Sequence, residues 1–556
     1  MPQLKTPGVY TKETAVLAPS VAEVATAIPV FIGYTETAVD KEDGLPKPIR
    51  ISSMLEFTET FGGAYLDPSY TVAIDENEIT DIEVPDTKYT LSPSLDLFYR
   101  NGGGVCYVIS LGDYDTAISA GHFDDAITVL DKYEQPTLIV LSDAINLPTA
   151  DYHALIQSSL LHCSEMDNRF CIFDVLNSND DGDILSTEDA VANFRNGIGN
   201  NNLKYGASYY PYLQTTLTHA FDDKQIKIAG YIDEIAQHIT DENGVAVYYS
   251  GNVENTSELT FEVSEIDDSD FLFANTGLSL TVTLPKDESL RTPGLMFEAW
   301  QKQTEAAQGD FDVQVQGAGN VVLAALVKTT LTYSEDANVK LIDLKYDRSA
   351  LYNDILSELQ QQRMVMPPSS AIAGIYANTD SNFGVWQAPA NISVSSVIEP
   401  IRKINNKEQE NLNVDVEAGK SINVIRSFTS KGHLVWGGRT LAGNDNEWRY
   451  INVRRLFNMV KASLQKATGF AVFQPNTPIT WLKVRAMMES YLEDLWQAGG
   501  LVGATKEEAF FVKVGKGITM NEDDILNGRM NIEVGLRASR PAEFITINFT
   551  HHVQDN

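Results

Sequence analysis

Between residue 92 and about residue 212 the sequence switches repeatedly between two hydrophobic periods, and this alternation limits the available folds more than any other feature. Short apolar runs predict buried strands at 105–110, 137–141 and 169–175. Stretches with apolar residues three and four apart predict helices at 94–101, 123–132 and 152–165. Parallel strands need long crossover connections, so this order predicts a parallel or mixed sheet with helices packed on it. The apolar run at 28–33 predicts a further strand just ahead of the series.

The rest of the chain divides around this series. Residues 1–20 read as an extended linker arm, because Pro2, Pro7, Gly8 and Pro19 oppose a helix while Val9 and Tyr10 favour a strand. A middle domain is expected over 21–240 and 346–395, interrupted at about 40–90 by a loop-rich insertion. Residues 241–345 read as a separate, acidic, β-rich insertion, with alternation at 278–284. A C-terminal α/β core domain follows over 396–539. Its best helix runs from 478 to 498, with Thr477 as N-cap, Pro478 in the first turn and Gly499-Gly500 as the stop. Trp481, Val484, Met488, Leu492 and Leu495 form its apolar stripe. Strands are predicted at 531–537 and 544–551. The second lies in a terminal linker, 540–556, where Phe544, Ile545, Ile547 and Phe549 follow Pro541. A single strand of this kind must pair within its own sheet or with another subunit. The fold class is mixed α/β and multi-domain.

The chain carries 41 Lys and Arg against 76 Asp and Glu, a net charge of −35, which excludes the basic footprint that phosphate backbones require. No nucleic acid partner is expected. The imbalance is local: residues 401–556 hold 20 basic and 17 acidic side chains, so the acidic excess lies in the first 400 residues. Such a division suits an assembly whose acidic part faces solvent and whose near-neutral part meets partners. Cys106, Cys163 and Cys171 are sparse, odd in number and set in apolar surroundings, which predicts free thiols and synthesis in a reducing cytosol. No secretory signal or membrane span is read, so work outside the cell would require another exit such as lysis.

Several stretches imitate chemistry. Residues 177–188 place oxygen donors, a central Gly182 and a closing Glu188 at calcium-loop offsets. Asn177 in the first position and a preceding strand argue instead for a surface loop leading into a helix. Gly102-Gly103-Gly104 follows a helix and precedes a strand, the reverse of a phosphate loop, and reads as a helix stop. No HExxH pair and no GxSxG elbow is present. Arg454, Arg455, Lys461 and Lys466 form a basic stretch on a predicted helix, suited equally to internal salt bridges or to a partner. No catalytic residue, metal site or cofactor is predicted.

Eight motifs in order resemble the contractile tail sheath proteins of phages and phage-derived injection systems. They are Thr6-Pro7-Gly8-Val9-Tyr10, VATAIPVFIGY at 24–34, NLKYGASYYPYL at 202–213, PPSSAIAGIYANTDSNFGVWQAPAN at 367–391, LVWGGRTL at 434–441, WRYINVRRLF at 448–457, GATKEEAFFVK at 503–513 and RPAEFITINF at 540–549. Within that family the opening and AGKSINVIRSF at 418–428 look most like sheaths of extracellular, antifeeding-prophage-type systems; phage and type VI sheaths are the near alternatives. The resemblance implies a structural subunit without enzymatic activity. It implies self-assembly in stacked hexameric rings around an inner tube, together with baseplate and cap or terminator proteins and without membrane insertion. The particle would assemble in the bacterial cytoplasm and act after release. Val9, Tyr10, Phe544, Ile545, Ile547 and Phe549 would lie on inter-subunit arms that add strands to a neighbour's C-terminal sheet. Lys483 and Arg485 are the candidate tube contacts. A baseplate component and a hydrolase with a β-rich binding domain are the competing readings.

Overall fold

The predicted apolar runs do pair into one sheet. The computed structural model describes residues 21–38, 44–75, 78–85, 87–230, 232–240, 244–250, 256–267, 270–315, 321–335 and 339–546. Its labelled strands are β1 (Pro29–Gly33), β2 (Pro48–Ile51), β3 (Cys106–Ser110), β4 (Leu138–Leu141), β5 (Phe170–Asp174), β6 (Gly206–Tyr210), β7 (Ile392–Ser393), β8 (Asn423–Phe428) and β9 (Gly432–Trp436). They lie in the order β2-β3-β1-β4-β5-β6-β8-β9-β7. The six strands from β3 to β8 in that order are parallel, and the outer pairings are antiparallel.

Both faces of the sheet are covered. Val30, Ile32, Ile109, Ile139 and Phe173 pack on one side with Phe123 of the helix Ala120–Val129 and Ile156 and Leu160 of α2. Phe31, Val108, Val140 and Ile172 pack on the other with Leu95 and Phe98 of α1 and Ile372 and Tyr376 of α3. Here α1 is Leu91–Arg100, α2 Thr149–Met166 and α3 Ser369–Phe383. Burial on two faces explains why the strands read as continuous apolar runs. Each fully buried Val, Ile or Phe contributes roughly 1.5–3 kcal/mol.

Two compact units partition the chain. The first comprises Met1–Tyr65, Thr87–Ala220 and Arg363–Asn556; the second comprises Leu66–Asp86 and Phe221–Gln362. The second unit contains two four-stranded sheets around Leu259, Phe261, Leu280, Val282, Val313 and Trp300. It also holds a three-stranded sheet of Lys227–Ala229, Thr71–Asp75 and Glu78–Glu83.

Three segments differ from the sequence reading. Residues 40–90, read as loop-rich, contain β2, the helix Met54–Phe61 and the hairpin Thr71–Asp75/Glu78–Glu83; these periods are too short, and too closely flanked by Gly and Pro, to stand out. Residues 423–436 extend the main sheet as β8 and β9, because β8 pairs with β6 across a gap of over 200 residues. Phe544 to Thr546 lie outside any strand, and the remainder of the predicted 544–551 strand falls outside the described residues.

The C-terminal part of the first unit stacks helices α4 (Ile451–Ala467) and α5 (Pro478–Gln497) on the strand pair β10 (Phe510–Val514) and β11 (Ile532–Leu536). The predicted stripe is present: Val484, Met488, Leu492 and Leu495 are buried against Leu456, Met459, Phe510 and Val512, with Trp481 half-buried at its edge. Thr477 occupies the N-cap but makes no side-chain cap bond. The turn is held instead by Thr480 Oγ1 donating to the Pro475 carbonyl (2.7 Å) and Trp481 Nε1 donating to Asn476 Oδ1 (2.6 Å). Gly499, at φ +90°, ends the helix in a backbone region that other residues rarely adopt.

Asp174, the last residue of β5, is buried where α3 begins, and its Oδ1 accepts the Ser369 amide at 2.8 Å. Burial pushes its carboxyl up to about 7, only partly countered by Ser369. The folded chain therefore keeps a proton that the unfolded chain releases near pH 4, and this costs stability as pH rises from about 4 to about 7. Thermal melts of the wild type and Asp174→Asn across pH 4–8 should diverge in the variant's favour by on the order of 4 kcal/mol through that window, then run parallel. Parallel curves throughout would mean that Asp174 does not titrate in that range.

Candidate functional site

The five parallel strands β3-β1-β4-β5-β6 follow chain order 2-1-3-4-5. In sheets of this order, ligands enter at the strands' carboxyl ends, where the crossovers leave in opposite directions, here between β1 and β4. The crossover helix α1 aims its N-terminus at that point, which is the usual seat of a phosphate. In this chain the seat is filled from within. Asp143, fully buried just after β4, accepts the Tyr34 amide on Oδ2 (2.6 Å) and the Thr90 and Leu91 amides on Oδ1 (2.5 and 3.1 Å), while the Thr90 hydroxyl donates at 3.0 Å. A Cβ at Gly33 would collide with the same carboxylate. Burial pushes the Asp143 carboxyl up to about 6 even though the converging donors favour its charged form, and the side chain fills the place of a ligand from within. Tyr65, Tyr89 and Tyr114 pack on one another edge to face or tilted, with ring centroids 4.9–5.2 Å apart.

The other chemical imitations resolve similarly. In the 177–188 loop, Asn179 Oδ1 accepts the Asp181 and Asp183 amides, and Asp180 accepts the Thr149 amide (2.7 Å) at the start of α2. These donors close the loop and cap a helix, and no cluster of His, Cys, Asp and Glu suited to a metal occurs among the described residues. Gly102, at φ +91°, ends α1 as the motif order predicted. Cys163 and Cys171 are free thiols, buried with 3.3 Å between the sulfurs. No helix of the described residues is long and apolar enough to cross a membrane.

A cleft of about 810 Å³ is lined by residues of the 23–28 segment and of α4, with Arg50, Glu134, Asp167, Arg455 and Lys461 among its charged groups. Two of its basic groups are paired internally. Arg455 binds Asp380 through both terminal nitrogens (2.9 and 2.5 Å), and Lys461 meets Asp167 at 2.6 Å. Arg454 stacks on the Trp448 ring at 4.1 Å. The basic stretch of α4 therefore makes mainly internal contacts. Its sequence revealed the charges but not their acidic partners, which lie tens or hundreds of residues away.

Among the described residues, two surfaces of the C-terminal part stand out. At the first, β10 and β11 form a sheet of only two strands, and the following residues Phe544 and Ile545 are 76% and 80% exposed. At the second, Phe473, Ile479 and Leu482, at the turn into α5, are 101%, 70% and 67% exposed. The two sequence candidates on that helix lie beside them. Lys483 is exposed, and Arg485 is ion-paired with Glu489 at 2.7 Å. The predicted arm residues Val9, Tyr10, Ile547 and Phe549 lie outside the described residues. The apolar residues beside Lys483 were missed by the sequence reading, although an aromatic residue in the Gly/Pro/Asn-rich 469–477 turn is a usable signal.

Comparison with known proteins agrees with this geometry. Residues 443–551 match the phage tail sheath C-terminal domain. The tail sheath protein of Enterobacteria phage T4 is 25% identical over 207 residues, 37% of this chain and 28% of that protein, so the chain spans under a third of that relative's length. Among solved structures, a chain of the anti-feeding prophage helical sheath in its contracted state matches at 27% identity and a TM-score of 0.54, covering 98% of this chain and 99% of that one. A chain of the sixfold-symmetrised anti-feeding prophage baseplate matches at 25% identity and a TM-score of 0.55, covering 99% and 100%. Residues 443–551 thus carry the phage tail sheath C-terminal domain, and along nearly its whole length the chain is similar in fold to contractile sheath structures.

Proposed function

We propose that this chain is the structural subunit of a contractile sheath, which polymerises around an inner tube and shortens to drive that tube through a target envelope. The two-stranded β10/β11 sheet carries the reading. A sheet that narrow is marginal in water, and an exposed apolar segment leaves it at Phe544. Strands donated by neighbouring subunits complete it: arm residues Val9 and Tyr10 from one, and Phe544, Ile545, Ile547 and Phe549 from another. Main-chain pairing of this kind joins subunits while allowing them to rotate. Contacts between unlike surfaces, repeated with a rise, give an open helical polymer. The subunit is not an enzyme. The filled crevice at Asp143 supports this, as it leaves the sheet's usual ligand seat occupied by a side chain. The sheath forms part of a phage tail-like particle assembled in the bacterial cytoplasm and released from it, with baseplate and cap or terminator proteins at its ends. A second reading, a sheath-type subunit seated at the baseplate, is favoured by the match to a chain of that assembly.

The tube meets the turn into α5. Residues 461–488 carry four basic side chains and no acidic one, within a chain of net charge −35. Phe473 adds a bulky side chain held at φ +64°, a conformation retained where surroundings impose it. The contact is thus an apolar patch of Phe473, Ile479 and Leu482 edged by Lys483 and Arg485, and it fits an acidic-surfaced tube protein.

Electron microscopy of the chain produced with its tube protein should reveal hollow, striated polymers, lost on deleting residues 1–20 or those after Arg540. Monodisperse particles from the intact chain would return the baseplate and hydrolase readings to the front. Phe473→Ser with Leu482→Ser should weaken co-sedimentation with tube protein by about 1–2 kcal/mol per side chain. Lys483→Glu with Arg485→Glu should weaken it in a salt-dependent manner, and more so at low ionic strength. Unchanged binding in both variants would remove α5 from the tube contact.

A further inference from the structure

Where do the arms stop belonging to their own subunit? On the N-terminal side, Thr26 Oγ1 donates to Asp380 Oδ2 (2.5 Å) and the Thr26 carbonyl accepts from Arg455 Nη2 (3.2 Å). Arg455 and Asp380 are 3% and 7% exposed, with the guanidinium 4.6 Å from the Tyr376 ring centre. The Val24 amide, two residues earlier, donates to Ser463 Oγ at 3.1 Å. On the C-terminal side, Arg439 grips Glu543 through Nε–Oε1 (2.7 Å) and Nη2–Oε2 (2.5 Å), and the Tyr450 hydroxyl donates to the same Oε2 at 3.2 Å. Asn452 holds the Ser539 carbonyl (3.1 Å) just before it. One residue beyond Glu543, the side chains are in solvent.

We propose that Arg455–Asp380 and Arg439–Glu543 are moorings, paired positioning elements that fix where each arm leaves the subunit. This rests on the arm reading above and extends it to the fixed ends. Fork-to-fork arginine–carboxylate pairs set direction as well as position. Burial makes a broken pair costly, so each mooring holds while the arm beyond it bends. Both arginines flank or lie in the start of α4, so both arms spring from one body. As subunits rotate during shortening, the roots of the two arms keep a constant separation, and the change is taken up beyond Thr26 and Glu543.

The test compares three full-length or near-full-length chains produced with tube protein: Glu543→Gln, the apolar pair Arg455→Met with Asp380→Leu, and a control lacking residues 544–556. Glu543→Gln keeps a hydrogen bond to Arg439 but loses the charged fork. It should melt no more than a few degrees below the wild type, since Arg439 keeps one hydrogen bond, while polymer yield falls by about tenfold, the worth of one charged hydrogen bond, and the helical rise or twist of the remaining polymers shifts. The rise and twist would not move if the pair merely held the monomer together. Should Glu543→Gln melt early, Arg439→Met with Glu543→Leu replaces it, because an apolar pair leaves no buried charge. Wild-type yield, rise and twist in both mooring variants overturns the proposal. If the truncated control polymerises normally as well, the arm reading falls with it; if only the control fails, the moorings alone are wrong.

Discussion

A single buried carboxylate ties together the parts of the main sheet that the chain leaves and re-enters. Asp143 sits where β1, β4 and α1 converge and takes an amide from the residue after β1 and two from the start of α1. Burying an ionised group without such donors is prohibitive, and three amides plus a hydroxyl convert that cost into a geometric constraint. The crossover helix cannot slide along the sheet without uncovering the charge. The strand order on either side, and the two-sided burial that follows, depend on that point staying fixed.

The same interaction redirects the fold's use. Open parallel sheets usually spend their carboxyl-end crevice on a ligand. Here the position is filled by a side chain of the chain itself. What remains available is at the periphery, in an unfinished two-stranded sheet and an apolar turn with basic neighbours. A body that is stiff inside and incomplete at its edges is what a polymer subunit requires. Its edge strands are a liability in isolation and a joint in an array.

Legibility in the sequence followed the range of the interactions. The strands at 106–110, 138–141 and 170–174 and the helix at 478–497 were readable because their periods are local and unbroken. The hairpin at 71–83 was not, because its turns and polar residues look like loop. β8 could not be assigned to the main sheet, since nothing near residue 423 announces a partner at 209. Asp143 looked like one acid among 76, and its donors lie 52 to 109 residues earlier. Arg455 was visible as charge, but only the fold supplies Asp380 beside it.

The separation of roles also accounts for the uneven charge. Self-repulsion among acidic surfaces keeps free subunits soluble and apart, and it opposes indiscriminate strand pairing. A near-neutral C-terminal stretch, which includes β10, β11 and α5, escapes that repulsion and suits the association proposed above. Buried arginine–carboxylate pairs add direction to what would otherwise be a sticky edge. Their worth lies less in net stability, which such pairs contribute weakly, than in choosing one geometry among several of similar energy. The proposed sheath, which would hold two lengths in turn, needs that kind of constraint. Its joints must be strong enough to survive the movement, and its bodies must be too stiff to absorb the movement themselves.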